Sequence, residues 1–457
     1  MRIIHTSDWH LGQYFYGKSR ANEHQQFLNW LLTQAKKHEV DAIIVAGDIF
    51  DTATPPSYAR QMYFNFISDL QATDCQLIVL AGNHDSVSML AESKEILAAL
   101  STRVIANVTD INITNNLAEQ VFVVNNKQGK PQAVICAVPF IRPRDVIKSQ
   151  AGQSATDKSK SLQQAIVSHY QALFEQAQQL ASLQATSDKQ NKLPIIATGH
   201  LTALGVTASD SVRDIYIGTL EALPSNAFPA ADYIALGHIH RAQKVGKTEH
   251  IRYCGSPIAL SFDEAKQNKR VLMVDFEQGK LATITDLIVP CFQPLAMVKT
   301  SIENLSQAVA TLVNELLGSE LLAKDLLAKT TAMKIWLDIE LSNTGLLSDL
   351  QPKIIALVKD FPVEVLLVRR EKQVRKRLLL ANKEDQSTLS ELTLEEVFSS
   401  RLKQETWSNE VNDKQELNDK QEADEDKQYS AEVVARKEQL QTLFKQTVAQ
   451  VLSAGES

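Results

Sequence analysis

Five short polar clusters, each placed directly after an apolar run, carry residue types that bind metal ions: Asp8-Trp9-His10, Gly47-Asp48-Ile49-Phe50-Asp51, Gly82-Asn83-His84-Asp85, Gly199-His200 and Gly237-His238-Ile239-His240. Asp, Asn and His supply oxygen and nitrogen donors suited to divalent ions. A lone histidine on an apolar run is ordinarily a core residue, and neither Asp-x-His nor Gly-Asp-x-x-Asp alone says much. Here five of the ten histidines fall in such clusters, and the ordered set points to one metal crevice. The glycine before a cluster permits a tight exit that aims the next side chain. His5 lies inside the first apolar run and reads as structural; Trp9 reads as packing rather than as a base-stacking surface. Ser256 and Pro257 read as shaping a loop near the crevice.

These clusters need elements that bring them together. Ile3–Ile4, Ile43–Ala46, Leu77–Ala81, Ile195–Ala197 and Tyr233–Leu236 read as buried strands. Between the first two, Phe27, Leu28, Leu31, Leu32 and Ala35 form one helical face. Further helices are expected after Pro56, through Glu92–Leu100 and over 157–182, with a polar loop at 183–192. Strands alternating with helices imply a largely parallel, layered α/β sheet, in which ligands bind beyond the carboxyl ends of strands. That is where the five clusters would meet.

From about residue 290 the rhythm changes. Pro294–Thr300, Met333–Leu341 and Val363–Val368 read as strands, and Ile302–Leu317 and Leu350–Val358 as helices, giving a small α+β domain over 290–375. Arg369–Arg377 holds six basic residues and one acidic one, either a contact for DNA phosphates or a partner, or a solvated edge. Residues 411–430 repeat Asp-Lys-Gln and carry seven acidic and three basic residues, the composition of a solvated linker. Within 431–453, Leu440, Leu443, Phe444, Val448, Val451 and Leu452 fall on one helical face that must be covered by a fold-back, a second copy or a partner.

The composition excludes other classes. The chain has 457 residues, 44% of them hydrophobic and 22% charged, which is ordinary for a globular protein and too apolar for a disordered one. No apolar run approaches the ~20 residues that span a bilayer, and the N-terminus is too polar for a signal peptide; the expected location is the cytoplasm, with no membrane partner. Cys75, Cys136, Cys254 and Cys291 are scattered and form no Cys-x-x-Cys pair, so neither a disulfide framework nor a cysteine zinc site is expected. A net charge of −7 means that any nucleic-acid contact needs a local basic patch, bound cations or a partner. No phosphate-binding Gly-x-x-x-x-Gly-Lys-Ser/Thr loop is present.

The five clusters, in this order across residues 8–240, resemble the calcineurin-like metallophosphoesterases. Thr6–Gly12 (TSDWHLG), Val138–Asp145 (VPFIRPRD) and Tyr253–Glu264 (YCGSPIALSFDE) are similar to its branch of bacterial double-strand-break repair nucleases. The resemblance implies a layered β-sandwich core flanked by helices over 1–285, a capping domain over 290–375, and a linker with partner-binding helices over 376–457, including Leu392–Leu402 and 431–453. It implies two divalent ions, most simply Mn²⁺, with Mg²⁺ also suitable. Asp8, His10, Asp48 and His240 would hold one, and Asp48, Asn83, His200 and His238 the other, with Asp48 as the bridge. His84 would protonate or stabilise the departing oxygen, with Asp85 orienting its ring. Asp51 would act on substrate or, equally, support the ligands from behind, since other relatives carry histidine there. The implied activity is ATP-regulated 3′-to-5′ double-strand exonuclease and single-strand endonuclease cleavage of DNA, at hairpins and blocked ends, in repair, recombination and replication. A coiled-coil ATPase would be the partner, with the chain as a homodimer inside a heterotetramer. A small-substrate phosphoesterase, or a non-catalytic scaffold on the same fold, are the alternatives; the intact ligand set argues against the second.

Overall fold

The computed structural model describes residues 1–108, 117–126, 128–147, 154–184, 192–212, 222–318, 334–342, 350–370, 439–440 and 442–444. Residues Met1–Glu371 form one compact unit and Lys372–Ser457 a second.

Two six-stranded sheets make the first unit's larger part. Their central strands are buried on both faces, so the sequence shows continuous apolar runs there rather than an alternation, while the edge strand Lys280–Ile288 is half-exposed. In the first sheet β1 (Arg2–Thr6), β4 (Ala42–Ala46), β5 (Gln76–Leu80) and β6 (Thr102–Ile105) lie side by side and parallel. β13 (Arg270–Glu277) and β14 (Lys280–Ile288) extend it antiparallel on the other side of β1. In the second sheet the order is β11 (Gln243–Lys244), β12 (Ile251–Tyr253), β10 (Tyr233–Gly237), β9 (Ile195–His200), β8 (Pro131–Cys136) and β7 (Val121–Asn125), with antiparallel pairs only at the two edges. The core is therefore two largely parallel sheets, each extended by antiparallel strands toward its edges. The late strands β13 and β14 return to the first one, an arrangement set by long-range pairing that no local pattern shows.

Alternate side chains assign each strand to two cores. Ile3, Ile44, Ile78 and Leu80 pack between the sheets with Ile135, Ile196, Tyr233 and Val274. Their neighbours Ile4, Ile43, Val45 and Val79 point the other way, against Phe27, Leu28 and Leu31 of the helix Ala21–Lys37 and Tyr63, Phe66 and Ile67 of the helix Ser57–Leu70. The outer face of the second sheet packs on the helix Ala155–Gln184 through Leu162, Ile166, Tyr170 and Leu173. The result is four layers, α/β/β/α. The single helix read through Glu92–Leu100 is two, Val87–Glu92 and Lys94–Ala98, broken at Ser93. The helix read over 157–182 runs on to Gln184, into the segment expected as a loop. Among the described residues no helix is long and apolar enough to cross a membrane.

The smaller sheet is all parallel: β15 (Leu295–Thr300), β16 (Ile335–Leu341) and β17 (Val363–Arg370). One face packs on the helices Leu305–Gly318 and Leu350–Val358. The other brings Leu295 and Trp336 against Phe262 and Phe15, the latter on the hairpin β2 (Tyr14–Phe15) and β3 (Lys18–Ser19). Phe15 stacks on Trp336 with the rings nearly parallel. Arg369, the first residue of the basic run, is committed to the buried carboxylate of Asp338 through two nitrogens, so it acts as a structural ion pair. The rest of that run from Glu371 to Arg377, the linker at 411–430, Leu392–Leu402 and nearly all of 431–453 lie outside the described residues.

Candidate metal centre

The strand ends that leave the two sheets converge. Asp8 and His10 follow β1, Asp48 follows β4, Asn83 and His84 follow β5, His200 ends β9, and His238 and His240 follow β10. Ligand atoms of Asp8, His10 and His240 lie within 4.8 Å of one another, and so do those of Asp48, His200 and His238. A third such set, His10, Asp48 and His84, shares His10 with the first and Asp48 with the second. Asn83 joins the second set: its Oδ1 is 2.9 Å from His200 Nε2 and 3.1 Å from His238 Nδ1. Asp48 Oδ2 lies 3.3 Å from His200 Nε2 and 3.6 Å from His10 Nε2, so one carboxylate faces both groups.

Tight backbone geometry makes this possible. Asp8, His10 and Asp48 have φ of 53°, 47° and 52°, the left-handed region that costs most residues about 1–2 kcal/mol, and His238 has φ 93°. Gly47 also needs positive φ (94°), and a Cβ there would meet His200 Nδ1 at 2.2 Å. Gly237 is different: its φ is ordinary, but a Cβ would lie 1.9 Å from the Ala46 carbonyl oxygen. There the missing side chain allows the two sheets to approach, which the reading of glycine as a turn residue does not capture.

Hydrogen-bond partners fix the rings. A carbonyl can only accept, so His200 Nδ1 donates to Ala46 O at 2.9 Å and turns Nε2 toward Asp48. His10 Nδ1 lies 3.2 Å from the Asp51 carboxylate. His10 Nε2 is then buried with no hydrogen-bond partner. An orphaned buried nitrogen costs about 1–3 kcal/mol unless something binds it, and this one faces two carboxylates, Asp8 and Asp48. The donor set, two carboxylates, an amide oxygen and imidazole nitrogens, fits divalent transition ions. The electrostatics of the metal-free cluster agree. Burial opposes the charge on His200, yet the Asp48 carboxylate beside it raises its pKa to about 9. Burial likewise opposes the Asp48 charge, but His200 and His10 hold that carboxyl well below its usual range. Burial and the charge of His200 push His238 well down.

His84 sits at the rim. Its backbone N–H donates to Asp48 Oδ1 at 2.9 Å, and its Nδ1 donates to the Asp51 carbonyl at 2.7 Å. The expectation that Asp85 orients this ring is corrected: the orienting atom is the Asp51 carbonyl. The buried Asp85 carboxylate accepts from Ile49 N, Phe50 N and Gly82 N at 2.8–3.1 Å, lashing the two ligand loops together. Burial and the Asp48 charge raise it to about 6 against those three donors. Asp51 thus serves His10 with its side chain and His84 with its backbone.

Trp9 is fully buried, donates to Thr6 Oγ1 and packs edge-on against Phe27 and Phe66. His5 bonds Tyr233 and the Leu236 carbonyl, and burial lowers it to about 3, the state of a neutral structural residue.

Sequence reasoning missed the residues behind His240. Ser211 Oγ lies 2.6 Å from His240 Nδ1 and 2.5 Å from Glu264 Oε1. Glu264 is fully buried and also receives Ser209, Leu260 N and Lys269. Burial alone would raise its pKa, but Lys269 and His240 hold it well below the carboxylate range. Ser256 joins this network, receiving Lys269 Nζ and donating to the Ile258 carbonyl. Glu264 closes the stretch Tyr253–Glu264 already noted in the sequence, but nothing there points to His240, and Ser211 gave no signal.

Residues 1–242 match the family described as calcineurin-like phosphoesterase, and residues 291–406 match the one described as type 5 capsule protein repressor C-terminal domain. The chain is 50% identical over 402 residues to the D component of nuclease SbcCD of Escherichia coli, covering 88% of this chain and 92% of that one. It is 32% identical over 306 residues to the protein of the same description in Bacillus subtilis, covering 66% and 73%. For the Rhodobacter capsulatus counterpart the identity is 31% over 284 residues, covering 61% and 67%.

Proposed function

The chain belongs to the SbcD family within the calcineurin-like phosphoesterases, and from that premise we propose that it is the metal-dependent nuclease component of a DNA-processing complex. Its partner would be an SbcC-type coiled-coil ATPase, with two copies of each chain in the assembly. The observation that carries the reading is the buried convergence of five strand ends around Asp48, with His10 Nε2 left for a ligand.

Asp8, His10, Asp48 and His240 would hold one divalent ion, and Asp48, Asn83, His200 and His238 the second, Mn²⁺ being the proposed metal. Two such ions activate a water and neutralise charge on a phosphodiester. The chain's own residues do the rest. Asp48 would serve both positions, because its Oδ2 faces both His10 and His200. Asp51 aims His10 through its carboxylate. Its carbonyl holds the Nδ1 proton of His84, so that Nε2 is the nitrogen that meets the departing oxygen; imidazole suits this because its pKa lies near neutrality. Asp85 keeps the Asp48 and Asn83 loops in register. The small sheet β15–β17 would cap the site and help to select DNA, and the C-terminal region would carry the partner-binding helices.

The test is cleavage of a labelled duplex with an internal hairpin, with Mn²⁺, Mg²⁺ or chelator, and with or without the ATPase and ATP. Manganese-dependent cutting that becomes ATP-dependent with the partner is expected. Hydrolysis of bis-p-nitrophenyl phosphate without DNA cutting would move the substrate to small molecules, and no hydrolysis of either would leave a scaffold.

A further inference from the structure

The five histidines of the centre differ in what holds them. His200 and His84 donate Nδ1 to backbone carbonyls, and His10 faces the Asp51 carboxylate. His240 alone among them is held through a hydroxyl. A serine hydroxyl has one proton. Ser211 Oγ lies 2.5 Å from Glu264 Oε1 and 2.6 Å from His240 Nδ1, so it can donate to only one of them. Glu264 is ion-paired with Lys269 inside the protein and, as a carboxylate, can only accept. The hydroxyl proton therefore goes to Glu264, and Ser211 Oγ must accept from His240 Nδ1–H. Lys269 completes the arrangement by donating also to the His240 carbonyl and to Ser256 Oγ.

We propose that Ser211 and Glu264 form a positioning relay that fixes His240 with its proton on Nδ1 and its Nε2 lone pair turned to the ion held with Asp8 and His10. This rests on the two-metal reading given above and adds a determinant to it. Ser211 belongs to the segment 203–212, tied down by Gln243, which bonds the Thr207 backbone at both N–H and carbonyl, and by Asp263, which accepts from Asp210 N. Metal affinity at one of two positions thus depends on the seating of this surface segment, while the Asp48–His200–His238 position does not.

Ser209 provides an internal control. It donates to the same Glu264 oxygen at 2.6 Å and lies 3.1 Å from Ser211 Oγ, but makes no hydrogen bond of its own to His240. The experiment is titration of the full-length metal-free protein with Mn²⁺, read by the electron paramagnetic resonance signal of free Mn²⁺. The parent protein should bind two equivalents. Ser211→Ala should weaken one of the two by roughly 10–100-fold, the usual cost of losing a partner behind a metal-bound histidine, and leave the other unchanged. Ser211→Thr, which keeps a hydroxyl, should restore the affinity, and Ser209→Ala should stay within about threefold of the parent, well short of that loss. Parent-like binding of both equivalents by Ser211→Ala overturns the relay, and so does an equal loss in Ser209→Ala, which would make Glu264 a purely structural hub. Fewer than two equivalents in the parent protein would instead overturn the two-metal reading, and the relay with it.

Discussion

The two halves of the metal centre are built from the same residue types but anchored in different ways. In the half formed by Asp48, Asn83, His200 and His238, the His200 ring is fixed by the carbonyl of Ala46, a backbone atom at the end of β4. In the half formed by Asp8, His10 and His240, both rings are fixed by side chains, Asp51 and Ser211. No substitution removes a carbonyl, whereas Asp51 and Ser211 can each be changed without touching a strand. One half is therefore as rigid as the sheets, and the other can be tuned from loops.

The largest effect should come from the residue common to both halves. Asp48→Ala should abolish binding of both ions and all hydrolysis; retention of one full equivalent of Mn²⁺ by calorimetry would show that the halves are independent. His84→Ala keeps the backbone N–H that meets Asp48 and removes none of the seven proposed ligands, so metal stoichiometry should hold while turnover on DNA falls by about 10²–10⁴. Normal turnover would end the leaving-group assignment. The third test concerns the rigid half without metal. His200 is raised from 6.5 to about 9. A histidine raised in the folded state contributes stability that is complete below pH 6.5 and is lost as the pH climbs through about 9. The metal-free protein should thus lose about 3 kcal/mol of unfolding free energy between those values, and the loss should vanish with Mn²⁺ bound, because the ion already requires a neutral ring. Urea titrations at pH 6.5 and 9, with and without chelator, read this directly; an identical slope in His200→Gln would assign it to other groups. The smallest effect should be Asp51→Ala, which should weaken the ion at Asp8, His10 and His240 by roughly 10-fold, at the low end of such losses, and spare the other. Equal weakening of both ions would erase the distinction between the halves.

How much of this was legible in the sequence follows the same division. The rigid half is written locally: an apolar run, a glycine, then Asp48, Asn83, His200 or His238, so β4, β5, β9 and β10 and the residues that leave them could be read before the fold was known. Contacts that cross the chain could not. His84 finds its partner 33 residues away at the Asp51 carbonyl, and a backbone atom leaves no trace in composition. Asp85 was assigned to its sequence neighbour because proximity along the chain was the only information there. Ser211 and Glu264 lie 53 residues apart and meet only because β10 and the loop after β12 bring them together. The addition of β13 and β14 to the first sheet was hidden for the same reason: pairing partners are chosen in space.

The positive φ of Asp8, His10, Asp48 and His238 has an evolutionary consequence. Asp, Asn and His are the non-glycine residues most often found in that region, and they are also the donors a divalent ion selects. Two independent demands, one steric and one chemical, draw on the same short alphabet at these positions. Mutational drift is thereby confined twice over. An alanine there would lose a proposed ligand and also meet a backbone it disfavours, so alanine scanning would overstate what a metal alone requires. Exchange between Asp and Asn changes only the chemistry, and it is the step by which a descendant of this centre could alter its metal preference while keeping its fold.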